Sequence, residues 1–244
     1  MRKLSEIVIQ SGKRIYQDII SVALFSIMGA LVLVPFVFFL PVGISLFVLP
    51  FVIVPLCAGA LHATHRMMKG ERPKVSALFA GAWKFILPSF VIAFATSIFI
   101  LIIVSTWWYY GGKPGMLYFA LAVFQTYFVA MVLVSQLYAL PLIVQQGLGV
   151  FTAMGRSVKL FLAHPGYTVG AFVQLLSVTV LLGLTVIGFA ALYLGMYAIY
   201  SNLVTANLLA KPEEDEGENG KTEDYAGLPH RAGERLDAMS FPGQ

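Results

Sequence analysis

Charge is scarce in this chain. Asp, Glu, Lys and Arg make up only 11% of its 244 residues, against about 25% in an average soluble domain. Acidic residues are rarest: Glu71 is the only one between Asp18 and Glu213. With 59% hydrophobic residues and a mean hydropathy of +0.83, a soluble core could not hide the apolar surface. The solvent for most of the chain is therefore lipid. Cysteine is nearly absent too, and the lone Cys57 excludes an intrachain disulfide. There is no P-loop, dinucleotide fingerprint, G-x-S-x-G elbow or clustered Cys/His site. No cofactor and no metal are expected.

The long apolar runs hold no Asp, Glu, Lys or Arg. Ionisable residues inside a membrane usually mark ion paths and proton relays. Their absence argues against a carboxylate-driven proton pump and against an intramembrane aspartyl protease. A transporter of neutral solutes stays open.

What the chain does have is length of apolar run. A spanning helix needs about 20 mostly apolar residues, and such runs fall at 19–40, 43–63, 86–108, 117–143, 167–187 and 189–210. The last two come from dividing the uncharged stretch Tyr167–Ala210, too long for one crossing at about 1.5 Å per residue, at a hairpin near Gly188. The first two turn around Pro41–Gly43. The expected fold class is all-α: a polytopic helical membrane protein with six spans. Residues 1–18 form a cytoplasmic amphipathic N-terminus, 19–210 the transmembrane domain, and 211–244 a polar, acidic, disordered cytoplasmic tail. The basic start followed by an apolar segment longer than an h-region reads as an uncleaved signal-anchor.

Basic residues set the orientation. Residues 1–210 carry twelve Lys/Arg against Glu6, Asp18 and Glu71, a balance of +9, and residues 211–244 carry four against nine, a balance of −5. Arg2, Lys3, Lys13 and Arg14 precede span one. Arg66, Lys69, Arg72, Lys74 and Lys84 lie between spans two and three, and Arg156 and Lys159 between spans four and five. The other connections hold only Lys113. Lys and Arg accumulate on the cytoplasmic side, so both termini are expected in the cytoplasm of a bacterial or archaeal cell, with the spans in its plasma membrane. The positive charge belongs to loops between spans and implies no nucleic-acid partner. Arg66, Lys69, Arg72, Lys74, Arg156 and Lys159 are candidate contacts for anionic lipid headgroups or a cytosolic protein.

Three segments ahead of the odd-numbered spans are amphipathic. Glu6, Gln10, Lys13 and Gln17 form a polar stripe, Val75, Leu78, Phe79, Ala82, Trp83 and Ile86 an apolar one, and Thr152, Arg156 and Lys159 a polar one. Each predicts an elbow helix in the cytoplasmic interface. GKRIYQDII, GAWKFILPSF and GRSVKLFLAHPGY share glycine, base, aromatic and span, which suggests three repeats of elbow plus hairpin. On the other side, TWWYY and Leu117-Tyr118-Phe119 suit the headgroup depth that Trp and Tyr favour.

Polar side chains within the runs are few. Gln125 and Gln136 in span four, Gln174 in span five, and Tyr193, Tyr197, Tyr200 and Asn207 in span six are placed to wall a polar cavity, or else to pack helices together. His62 and His65 share a helix face, but the spacing lacks the ligand-and-base pattern of H-E-x-x-H.

Two stretches carry a resemblance. VLPFVIVPLCAGALHATHRMMKGERPKVSALFAGAWKFILPSF has a proline-bearing span, a basic turn and an amphipathic helix with Trp and Lys. YALPLIVQQGLGVFTAMGRSVKLFLAHP has a Tyr-x-x-Pro span end, a short helix and His-Pro. Together, over about Pro50–Pro165, they resemble the YesL-like family of bacterial multi-pass membrane proteins. The resemblance implies an accessory role in carbohydrate uptake and carries over no catalytic residues. The expected function is a non-enzymatic membrane protein that is part of, or accessory to, small-solute uptake. Alternatives are a lipid-acting membrane enzyme using His62, His65 or His164, and a scaffold or sensor working through its acidic tail.

Overall fold

A computed structural model describes residues 3–71 and 74–210. Arg2, Arg72 and the acidic tail 211–244 lie outside the described residues. Among those described, every regular element is helical. The order is α1 (Leu4–Gln17), α2 (Ile19–Phe39), α3 (Val42–Met68), α4 (Val75–Lys84), α5 (Ile86–Tyr110), α6 (Met116–Ser135), α7 (Ala139–Gln146), α8 (Val150–Ala163), α9 (Pro165–Leu184) and α10 (Val186–Leu209). Among the described residues, six stretches are long and apolar enough to cross a membrane: α2, α3, α5, α6 with α7, α9 and α10. A helix is the natural state of such a run in lipid, because it satisfies every backbone N–H and C=O within the segment. Outer faces are openly apolar, with Phe38 79%, Leu87 76% and Leu181 66% exposed. The molecule is a polytopic helical membrane protein.

A short amphipathic helix followed by a spanning hairpin occurs three times. α1, α4 and α8 each meet the next span through a one-residue break, at Asp18 (φ −116°), Phe85 (φ −103°) and His164 (φ −137°). Pro165 stands at the first position of α9, where its missing N–H costs nothing. Each predicted elbow thus forms, and each keeps an apolar side chain exposed: Tyr16, Trp83 and Phe151.

The hairpins close through Leu40–Pro41, residues 111–115 and Thr185. Turns this short force neighbouring spans antiparallel, so α1, α4 and α8 gather at one end of the bundle. Side-chain contacts agree: the His62 ring near the end of α3 packs on Phe85, with centroids 5.7 Å apart, and Asn207 near the end of α10 bonds Tyr167 near the start of α9.

Three details differ from the sequence reading. The last hairpin turns at Thr185, not near Gly188. Thr185 is extended (φ −110°, ψ 96°) and its hydroxyl donates to Leu182 O, while Gly188 lies inside α10. The fourth span is not one helix, because α6 stops at Ser135, residues 136–138 turn, and α7 begins at Ala139. Ser135 O accepts from Ser157 Oγ at 2.6 Å, and Ser157 Oγ in turn accepts from Tyr138 N–H at 3.2 Å. Groups released by the break are thereby taken up by α8. Finally, α3 runs on to Met68, so His62 and His65 belong to the helix and the basic connector shortens to 69–74.

Glycine sets the closest helix approaches. A Cβ on Gly59 would collide with Leu78 O, and one on Gly81 would lie 2.8 Å from His62 Cβ, so α3 and α4 cross with backbones nearly touching. A Cβ on Gly195 would come within 2.8 Å of Val22 O, which fixes α10 against α2. Small residues at such crossings replace the hydrophobic driving force that lipid removes.

Candidate functional site: a basic end and a buried polar seam

One end of the bundle is basic. Antiparallel alternation places Lys3, Lys13, Arg14, Arg66, Lys69, Lys74, Lys84, Arg156 and Lys159 there and Lys113 at the other end. Among the described residues the only ion pair is Arg66–Glu71, at 2.6 Å and nearly half exposed on both sides, worth at most about 1 kcal/mol. Arg156 Nη1 donates to Gln146 Oε1 at 2.9 Å. Lys69, Lys74 and Lys159 are exposed and have no ion-pair partner among the described residues. At the opposite end the Lys113 ammonium sits 3.7 Å from the Tyr109 ring centroid and 5.3 Å from that of Tyr118. Its hydrogen bond to Tyr109 raises its pKa. Trp107 Nε1 donates to Thr126 Oγ1 at 3.1 Å, so this aromatic cluster also staples α5 to α6.

Inside the basic end runs a polar seam that the sequence reading did not single out. Asn202 is fully buried. Its Nδ2 donates to Thr64 Oγ1 at 2.8 Å and to Leu61 O at 3.0 Å. Its Oδ1 and backbone O accept from Gln145 Nε2 at 2.7 and 3.1 Å. Thr64 Oγ1 passes its own proton to Ala60 O. One amide therefore joins α3, α7 and α10. Gln145 reaches it from α7, the short helix that follows the break at 136–138. Beside this seam, Tyr138 OH donates to Thr168 Oγ1 at 3.0 Å, and Asn207 Nδ2 to Tyr167 OH at 3.0 Å.

The seven residues proposed to wall a cavity do not all meet. Gln174 and Tyr200 do: Tyr200 OH shares its proton between Gln174 Oε1 (3.1 Å) and Ala171 O (3.2 Å). Tyr193 stacks between Phe189 and Tyr197, with its hydroxyl 3.4 Å from Thr179 Oγ1. Asn207 is engaged with Tyr167. Gln125 is half-buried along α6. Gln136 falls in the turn after α6, so the eleven-residue spacing to Gln125 no longer defines one helix face. Its Oε1 is buried without a hydrogen-bond partner. Tyr200, Asn207 and Tyr193 thus make contacts between helices.

The three described histidines are spread along the fold. His62 lies between Phe85 and the α4 crossing at Gly81, His65 is half-buried one turn on, and His164 is the elbow between α8 and α9. Among the described residues no three His, Cys, Asp or Glu side chains are grouped to hold a metal ion.

Comparison with family models, with curated proteins and with solved structures finds no match to this chain.

Proposed function

We propose that this chain is a non-enzymatic membrane subunit, accessory to a small-solute uptake system, whose basic end docks a partner subunit in the cytoplasm. The observation that carries the reading is the gathering of nine described basic residues at one end with a single ion pair among them. Positive charge on short loops sits on the cytoplasmic side. Both chain ends are then cytoplasmic, and the membrane is the plasma membrane of a bacterial or archaeal cell. Each Lys or Arg near an anionic surface contributes about 1 kcal/mol of attraction, so headgroups hold this end at the interface. Lys69, Lys74 and Lys159 project from it and offer an acidic partner surface three charges not paired within the described residues.

An accessory role is better supported than a permease. The polar side chains of the spans are largely spent on one another between helices, as in Asn202–Thr64, Asn207–Tyr167 and Tyr200–Gln174. Carbohydrate as the solute class comes from the family resemblance. The test is affinity recovery from native membranes after mild cross-linking. Wild type should bring down subunits of an uptake system, and the triple variant Lys69→Glu, Lys74→Glu, Lys159→Glu should lose them while still inserting. Equal recovery of those subunits by the triple variant would remove the docking reading.

A further inference from the structure

Asn202 sets the level at which the chain leaves the bundle. Its amide holds Thr64 of α3 and Gln145 of α7, and all three helices run toward the basic end. α10 continues from Asn202 to Leu209, and α3 from Thr64 to Met68. At about 1.5 Å per residue, α10 ends about 10 Å beyond the seam and α3 about 6 Å beyond it. Lys69, the C-cap of α3, therefore stands close to the level at which α10 ends. Arg156 is held in the same neighbourhood through Gln146, the residue after Gln145. On the other flank Asn207 holds Tyr167. Gly170, one turn on from Tyr167, would carry a Cβ 3.3 Å from Leu4 Cδ2, and Lys3 immediately precedes Leu4. The exit of α10 is thus flanked by Lys3, Lys69 and Arg156. All three are exposed, and none is in an ion pair among the described residues.

The nine basic residues of this end meet only three carboxylates among the described residues, Glu6, Asp18 and Glu71, and the last is bound to Arg66. The complementary charge follows directly in sequence. Glu213, Glu214, Asp215, Glu216 and Glu218 crowd the stretch just past Ala210. An extended chain covers about 3.3–3.6 Å per residue, so Glu213 reaches about 10 Å from Ala210 and Glu218 up to about 28 Å. α10 delivers this run to the basic end whichever side of the membrane that end faces. Anionic headgroups repel the run, while the uncompensated cations attract it. Tethering makes the encounter intramolecular, and several charges acting as a network exceed isolated surface pairs.

We propose that the acidic run 213–218 folds back across the basic end and binds between Lys3, Lys69 and Arg156, a salt-sensitive clasp built into the chain. The contact rests on charge and on the register of α10. Its consequence rests on the docking reading, because Lys69 is also a docking charge: run and acidic partner exclude each other there.

The test is zero-length carbodiimide cross-linking of the full chain in nanodiscs of phosphatidylglycerol and phosphatidylcholine, with linked peptides mapped by mass spectrometry. Wild type should link residues 213–218 to Lys3 and Lys69 in preference to Lys13, Lys74, Lys84 and Lys159, and high salt should suppress the links. Arg156→Gln removes a charge that the reagent does not attach, and should lower the yield at Lys69 about two- to fivefold, the weight of one exposed ion pair. An even spread of links over the lysines of this end would overturn the proposal, as would a yield unmoved by salt or by Arg156→Gln. Links that form in phosphatidylcholine alone and vanish with phosphatidylglycerol present would give the basic end to lipid headgroups and overturn it too. For the consequence, the full chain carrying Glu213→Gln, Glu214→Gln, Asp215→Asn, Glu216→Gln and Glu218→Gln should bring down several-fold more of the uptake subunits than wild type. Absence of the links sinks the clasp and leaves the docking reading standing. Links without any recovered subunit sink the docking reading and leave the clasp standing.

Discussion

Asn202 Nδ2 lies 2.8 Å from Thr64 Oγ1, and this contact ties the last span to the second, 138 residues away in sequence. Both side chains are fully buried. Replacing Asn202 by Ala removes the donor to Thr64 Oγ1 and Leu61 O and leaves Gln145 only the backbone O of residue 202, and should lower stability by about 1–3 kcal/mol, the cost of losing buried polar partners. Individual bonds inside membranes average nearer about 0.6 kcal/mol. A double-mutant cycle with Thr64→Val, read by unfolding in detergent, should therefore give a coupling of about 0.5–1.7 kcal/mol. Strict additivity would mean the contact contributes nothing of its own.

The glycine crossings make a second prediction. Gly59→Ala and Gly195→Ala place a methyl against Leu78 O and Val22 O respectively. Each should cost about 1–3 kcal/mol by overpacking. Gly155→Ala adds a methyl where nothing lies within 4 Å and, with the better helix propensity of alanine, should be neutral or slightly stabilising. Melting temperatures in one detergent rank the three. A Gly59→Ala protein that melts like wild type would show that α3 and α4 are not in close contact.

These positions also mark the limit of what the sequence offers. The spans and elbows are legible because lipid imposes a length and a polarity on every crossing, so hydropathy and lysine placement carry them. Asn202, Thr64 and Gln145 carry no comparable signal. Each is a single polar residue with no periodic companion, and what unites them is the packing of three helices distant in sequence. Gln125 and Gln136 share one face only on an unbroken helix. The break at 136–138 depends on Ser157, twenty-two residues from Ser135, and local pattern does not show it. Gln174 and Tyr200 did come together, being on two helices joined by a one-residue turn.

Arg66 and Glu71 yield a third prediction, a small one. Their ion pair is exposed, so Glu71→Gln should change stability by less than about 0.5 kcal/mol. It releases Arg66 to the membrane surface and should tighten adhesion of this end to anionic lipid by a similar small increment. Urea or thermal unfolding beside flotation with phosphatidylglycerol vesicles measures both. A loss of stability above 1 kcal/mol would mean the pair is structural.

The docking face requires the basic end to lie in the cytoplasm. Cys57 lies within span α3, so single cysteines can be added over a quiet background. Gly112, in the turn between α5 and α6, and Gly155, on α8, both have open space around a new side chain. In intact cells a membrane-impermeant maleimide should label Gly112→Cys and leave Gly155→Cys unlabelled until the membrane is permeabilised. Labelling of Gly155→Cys from outside, with Gly112→Cys protected, would invert the topology and contradict the docking face.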